Sequence, residues 1–269
     1  MNETRSPSMH RRIAPTALSN KRQAEIIKVA RTRGACSITD LAEELGVSSE
    51  TIRRNVKVLA AEGLIEKVRG GVMMPNALAE PAFPFRMNEG KEEKQRIAAH
   101  IAGKINDGDS LILDNGSTTA YIAHALNSHE NLFVVTNSVV VANILAIQPG
   151  NRVFMAGGEL RNYNGGAFGP EALEFVKNFE VQCAIFSAAA IHPDKGFLVH
   201  HLCEAEFARA IIDRSERTLV AADSRKFGRK APLRMCGAEQ VDELVTDAAP
   251  PQELDAMLAA NNITVSLAS

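Results

Sequence analysis

Residues 38–71, ITDLAEELGVSSETIRRNVKVLAAEGLIEKVRGG, constrain the fold of this chain more than any other stretch. Leu41, Ala42 and Leu45 recur at helical spacing, and Ile52, Val56 and Leu59 do so again after a break at Gly46-Val47-Ser48. Helices this short are unstable alone, so the two must pack on each other and on a third element. Residues 21–33 supply it as a first helix, with Ala24, Ile27, Val29 and Ala30 as its apolar positions. Thr39 is expected to cap the second helix, Ser48 or Ser49 to cap the third, and Gly63 to stop it. Residues 64–72 then read as a hairpin. The pattern is that of a helix-turn-helix with a wing.

A helix enters the major groove of DNA only if its outer face is polar and its N-terminal end reaches base edges. Ser49, Thr51, Arg53, Arg54 and Lys57 give the third helix such a face. Arg53 and Arg54 can fork onto guanine or clamp phosphate, whereas Lys57, Lys67 and Arg69 suit phosphate, for which a point charge suffices. Gly70-Gly71 would let the wing backbone approach a duplex. The competing reading is a solvated helix face, and the charge distribution weighs against it. Residues 1–75 hold 13 Lys and Arg against 8 Asp and Glu, whereas the remainder holds 17 against 24. Double-stranded DNA is therefore the expected partner of the N-terminal part alone.

The expected organisation is a disordered leader over 1–18, a winged helix-turn-helix over 19–74, a linker over 75–88 and a larger domain over 89–269. The linker holds Pro75, Pro81 and Pro84 and lacks periodicity. No apolar run is long enough to span a membrane, and Arg5, Arg11 and Arg12 precede no apolar signal core. Cys36, Cys183, Cys203 and Cys236 form no C-x-x-C pair and fit no zinc module, so they are expected to be reduced thiols in a cytoplasmic protein.

After a helix over 89–106, short apolar runs alternate with loops and helices. Residues 111–113, 132–135, 153–156, 184–188, 218–222 and 244–246 are strand candidates, with helices reaching Ala125 and spanning 138–147. This alternation predicts an α/β domain built on a mostly parallel sheet. Asp114-Asn115-Gly116-Ser117-Thr118-Thr119 carries a strand into a helix start, where backbone N–H groups, hydroxyls and the helix dipole favour a phosphate. Ordinary capping by Ser117 or Thr118 is the alternative. Thr136-Asn137 and Gly157-Gly158 end two further strands at the same sheet edge, where open α/β sheets bind ligands.

The stretch VSSETIRRNVKVLAAEGLIEKVRGG resembles the DNA-binding signature of the DeoR family of bacterial sugar-metabolism regulators. DNGSTT, VVTNS, MAGGELR, the Gly169 region, the segment at Glu204 and Glu206, and ADSRKFG are similar in order to that family's later motifs. The resemblance implies a C-terminal domain like ribose-5-phosphate isomerase and CoA transferases that senses phosphorylated sugars. By it, Asp114, Ser117, Thr118, Thr119, Thr136, Asn137, Gly157, Gly158, Arg161, Glu204 and Lys226 would line the pocket. Arg161 and Lys226 would supply cationic charge for the phosphate.

The chain departs from the family pattern in places. Asn55 stands where the family has Asp, which removes a negative charge next to Arg54. Gln182, Ile185, Ser187 and Ala190 stand where Asp, Phe and glycines are common, and side chains at Ser187 and Ala190 are expected to narrow a backbone-lined slot. His200-His201 is also unusual, but adjacent residues on an extended segment face opposite ways, so no metal site is expected there. Nor is a cofactor. The expected function is a DNA-binding regulator, in the repressor sense, that answers to a phosphorylated sugar or polyol and assembles as a homo-oligomer to read paired half-sites. The alternative is a sugar-phosphate isomerase or transferase with Asp114 or Glu204 as general base.

Overall fold

The computed structural model describes residues 21–33, 35–61, 64–74, 80–81, 83–161 and 164–269. The leader expected over 1–18, the helix stop at Gly63 and the linker's Pro75 lie outside them. The chain divides into two compact units, Met1–Pro75 and Asn76–Ser269.

In the first unit α1 (Lys21–Arg33), α2 (Ile38–Glu44) and α3 (Ser49–Ala61) enclose Ile26, Leu41, Ile52, Val56, Leu59, Ile65 and Val72. The expected hairpin forms as β2 (Glu66–Val68) and β3 (Gly71–Met73). Sequence patterning misses the short β1 (Ala35–Ser37), which pairs antiparallel with β3. That strand moves the start of α2. Ser37, not Thr39, is the cap, its hydroxyl accepting from Asp40 N at 2.9 Å. Ile38 N donates to Gly70 O at 3.0 Å and ties the wing turn to the helix start. Ser48 performs the expected capping of α3, accepting from Thr51 N at 3.3 Å.

In the second unit β4 (Ser110–Leu113), β5 (Phe133–Thr136), β6 (Arg152–Met155), β7 (Val181–Ser187), β10 (Ser215–Ala221), β12 (Glu243–Thr246) and β13 (Thr264–Leu267) form a seven-stranded sheet. Its order is β13-β12-β10-β7-β4-β5-β6, and every pairing is parallel. Both faces are covered, as a parallel sheet requires. The strict alternation of strand side chains sorts them between two cores. Leu111, Leu113, Cys183, Ile185, Leu219 and Ala221 join the layer containing Ile97, Ile101, Ile122 and Leu145, from α5 (Lys91–Ala102), α6 (Ser117–Ala125) and α7 (Val139–Leu145). Ile112, Ala184, Phe186 and Val220 face the opposite layer, with Ala172, Phe207, Ile211 and Leu254 from α8 (Pro170–Val176), α9 (Leu202–Ile212) and α10 (Gln252–Ala260). A separate antiparallel sheet holds β8 (Ala190–His192), β9 (Gly196–Val199) and β11 (Leu233–Arg234).

The helix expected over 89–106 is shorter and has a neighbour. The end of the proline-bearing stretch is itself helical, as α4 (Phe83–Asn88). Gly90, at φ +62°, separates it from α5, and a Cβ there would lie 1.4 Å from Arg225 Nη2. Arg225 uses that space to donate to Glu89 O at 3.1 Å. Buried Lys94 donates to the carbonyl oxygens of Arg86 and Glu89 and so finishes α4. Among the described residues no helix is long and apolar enough to cross a membrane. All four cysteines are unpaired, and burial pushes the thiols of Cys36, Cys183 and Cys236 up to about 12.

Ile52 is fully buried at the centre of the winged unit. Truncating it to alanine is expected to destabilise that unit by about 3 kcal/mol. In urea unfolding of the full chain, the loss should appear as an earlier transition for this unit, with the second unit's transition unmoved.

Candidate functional site

The outer face of α3 is polar and exposed. Ile52, Asn55, Val56 and Leu59 point inward, which leaves Arg53, Arg54 and Lys57 exposed. Arg53 Nη1 lies 3.7 Å from Glu50 Oε2, but both side chains are largely in solvent, so this pair is weak and leaves the arginine free to move. Ser49 and Thr51 are half-buried, and the Thr51 hydroxyl sits 3.0 Å from that of Ser48 at the helix start. Lys67 and Arg69 are exposed on the wing. Gly70 takes φ +80° at its turn, whereas Gly71 lies within β3 and is buried. Only the first glycine is therefore at the wing tip. Asn55 is not beside Arg54 on the outer face. It is buried and its Nδ2 donates to Thr51 O at 2.8 Å, so any influence on base reading passes through the helix backbone.

In the second unit the strand order reverses between β4 and β7: β5 and β6 follow β4 outward on one side, and β10, β12 and β13 follow β7 on the other. Such a switch point opens a crevice at the carboxyl ends of the strands. Asp114 follows β4 there and its Oδ2 accepts from Ser187 N at the end of β7, at 3.2 Å. Gly116 makes the approach possible, because a Cβ on it would lie 2.2 Å from Ser187 Oγ. Gly116 precedes α6 and no side chain caps that helix, so its positive end stays open toward the crevice. The capping alternative for Ser117 and Thr118 therefore fails.

The structure sorts the remaining pocket candidates. Thr119 is fully buried and its hydroxyl donates to the carbonyls of Asp114 and Gly116, both at 3.0 Å, so it shapes the loop from behind. Thr136 Oγ1 accepts from Ser138 N at 3.1 Å in the same supporting manner. Ser117 and Thr118 are buried in the first turn of α6. Asn137 Nδ2 holds Ala167 O at 3.0 Å. Gly157 and Gly158 are exposed, the latter at φ +123°, and lead to Arg161, whose guanidinium lies 5.9 Å above the Phe168 ring. The family-departing positions also divide. Ser187 does crowd the crevice, but Ala190 is buried in β8, Ile185 is in the core and Gln182 is at the other end of β7, bonded to Ser110.

Among the described residues, buried side-chain atoms with no protein hydrogen-bond partner include Asp114 Oδ1, Asn115 Oδ1 and Nδ2, Asn137 Oδ1, Asn164 Nδ2, and Arg86 Nε and Nη2. Folded proteins rarely leave such atoms unsatisfied. Asp114 and Asn137 are among the expected pocket residues, whereas Asn164 and Arg86 are not. Glu80 pairs with Arg86 at 2.8 Å and lies 3.6 Å from His201 Nε2. Glu204 Oε2 accepts from His201 N at 3.2 Å. Glu80, His201 and Glu204 each bring one ligand-type atom within 4.8 Å of the others, with Arg86 and Arg161 close enough to influence their charge. The signal for Arg86 was present as Phe83-Pro84-Phe85-Arg86, hidden inside the expected linker.

Burial, aided by neighbouring Glu204, pushes the Asp114 carboxyl up to about 7. Burial and the Glu80 charge do the same for Glu204. Burial opposes ionisation of Glu80 too, but Arg86 and His201 outweigh it and hold this carboxyl below its usual range. Burial lowers Lys226, and Asp223 partly restores it. Acceptors, proton-bearing carboxyls and cations thus act on one another here.

Comparison with known proteins agrees with this division of labour. Residues 22–77 match the family described as DeoR-like helix-turn-helix domain, and residues 89–248 match DeoR C terminal sensor domain. The glycerol-3-phosphate regulon repressor of Escherichia coli (strain K12) is 36% identical over 247 residues, covering 92% of this chain and 98% of its own. The HTH-type transcriptional repressor CsqR of the same organism is 33% identical, covering 92% and 95%. Among solved structures, ribose 5-phosphate isomerase A of Methanocaldococcus jannaschii overlaps 53% of this chain and 56% of its own, at 14% identity and TM-score 0.38. These relatives, like the transcriptional repressor AccR of Agrobacterium fabrum (strain C58 / ATCC 33970), carry the names of repressors, and the family is a regulatory one. A winged helix-turn-helix joined to a sensor crevice, matched across both units, places this chain in the DeoR family of DNA-binding transcriptional regulators.

Proposed function

We propose that the chain represses a sugar or polyol catabolic operon in the cytoplasm, with 19–74 reading the operator and 89–269 sensing a phosphorylated sugar or polyol. The observation that carries this reading is the set of orphaned buried polar atoms at the sheet's switch point. The phosphate belongs at the uncapped start of α6. Asp114 and Glu204 suit the hydroxyls, and Arg161 and Lys226 add cationic charge. A relative named for the glycerol 3-phosphate regulon makes that compound the first probe. One winged helix reads a short half-site, so a homo-oligomer supplies the second.

On the DNA side, replacing Arg53 and Arg54 together by alanine is expected to weaken operator binding by roughly 100-fold or more, since a bidentate base contact is worth about 1–3 kcal/mol. Salt-controlled gel shifts should also show a flatter salt dependence, by about 0.9 in log–log slope for each phosphate that is no longer neutralised. Unchanged affinity would remove α3 from the reading role.

On the sensor side, thermal-shift screening is expected to show selective stabilisation by a phosphorylated sugar or polyol, and Gly116→Ala should abolish it by driving Ser187 out of place. A response shared by unphosphorylated sugars would defeat the phosphate reading.

The raised carboxyls also fix a pH dependence. Asp114 and Glu204 titrate at about 7 in the folded chain against ordinary values of 3.8 and 4.5. The folded state therefore holds more protons than the unfolded one in that window. Their contribution is fully favourable below the ordinary values and is lost as pH rises through about 7. The sensor unit's melting temperature should fall from about pH 5 to about pH 8, and Asp114→Asn should flatten part of that fall. A wild-type slope preserved in the variant would contradict the assignment of Asp114.

A further inference from the structure

Arg86 is among the few charged side chains buried in this chain, at 9% exposure. Its Nη1 is committed to Glu80 Oε1 at 2.8 Å. The guanidinium lies 5.4 Å above the Phe83 ring, which covers one face. Its other edge, Nε and Nη2, is buried and meets no protein acceptor among the described residues. That edge presents parallel N–H groups at the spacing of two oxygens on one phosphorus or one carboxyl carbon. The groups around it are Glu80, Asp114, Glu204 and Lys226, each of which feels its charge. Glu80 gives Oε1 to Nη1 and holds Oε2 3.6 Å from His201 Nε2, and Glu204 has one oxygen on the His201 amide.

We propose that the Nε/Nη2 edge of Arg86 grips the anionic group of the effector, with Glu80 as the positioning residue that holds the guanidinium flat against Phe83. This rests on the phosphorylated-effector reading above and adds a residue that the sequence placed in a linker. Two features separate an anion from a cation as the occupant. The unsatisfied atoms on Arg86 are donors, which only an acceptor can complete. A divalent ion on Glu80, His201 and Glu204 would also have to displace or face the arginine already bound to Glu80. The bidentate edge demands planar geometry, so a lysine of equal charge does not replace it. Because Glu80 precedes α4 in the stretch that follows the winged unit, a ligand that engages Arg86 acts on the chain where it enters the sensor.

The test is calorimetric titration of the full-length protein with glycerol 3-phosphate and, where that is silent, with the phosphorylated compound that best stabilises the wild type. Arg86→Lys keeps the charge and can keep the Glu80 pair. Effector affinity is expected to fall at least tenfold while the unliganded variant keeps a cooperative thermal unfolding transition. Wild-type effector affinity in Arg86→Lys overturns the proposal and leaves the sensor reading intact. A wild type that ignores every phosphorylated compound overturns both. Stabilisation by manganese or zinc alone, lost in Glu80→Gln, favours the cation and overturns the anion. Should Arg86→Lys fail to fold, the arginine side-chain N–H spectrum of the wild type decides: a buried Nε–H signal moves on effector addition, and a spectrum that does not change overturns the proposal.

Discussion

The close approach of the loop after β4 to the end of β7 is the constraint on which the sensor depends. Strand order reverses at this pair, so the crossovers leave in opposite directions and cannot cover the gap between them. Gly116 lets the two backbones meet, and Asp114 fastens them through the Ser187 amide. Everything polar in the crevice is arranged around that contact. The uncapped start of α6 follows directly, and Glu204 and Arg86 lie close enough to shift the Asp114 carboxyl. A side chain at Gly116 would displace the Ser187 hydroxyl from this contact.

Local patterning made much of this legible. The helix-turn-helix stripes, the wing and the parallel strands are set by apolar spacing, which tertiary context had no reason to override. The elements that escaped were those whose stability comes from a distant partner. β1 is a short strand that exists because β3 lies beside it, and its presence moved the cap of α2 from Thr39 to Ser37. α4 contains a proline and has only a short run, yet Lys94 closes its end and Tyr121 bonds Met87 O at 2.9 Å. A proline-rich stretch therefore read as a linker. With it, Arg86 and Glu80 dropped out of the expected pocket.

The pocket residues themselves show why motif carry-over runs ahead of geometry. Thr119 and Thr136 belong to motifs that line the crevice, but their hydroxyls turn back onto local backbone and shape the loops without facing a ligand. Asn55 follows the same logic on the DNA side. Its place next to Arg54 in sequence puts it about 100° around the helix, on the buried face. A sequence neighbour is not a neighbour on a helical surface, so its effect on base choice must travel through Thr51 and the helix start.

The energetics of the crevice bear on how a ligand at one site can alter the other. Each buried donor or acceptor left without a partner costs about 1–3 kcal/mol, and several such atoms gather here. A domain is stable by only about 5–15 kcal/mol, so that burden is not small beside the whole. A ligand that supplies the missing partners stabilises the arrangement that presents them together. It shifts operator affinity only to the extent that this arrangement differs between the DNA-competent state and its alternative. The groups that can carry such a difference are those not locked by the sheet. Asp114 is held by β7, whereas Glu80 and Arg86 sit outside the sheet, held by each other, by Phe83 and His201, and by Lys94 on the Arg86 carbonyl. A ligand on Arg86 therefore acts on α4 and the residues before it, the part of the crevice that the sheet itself does not fix.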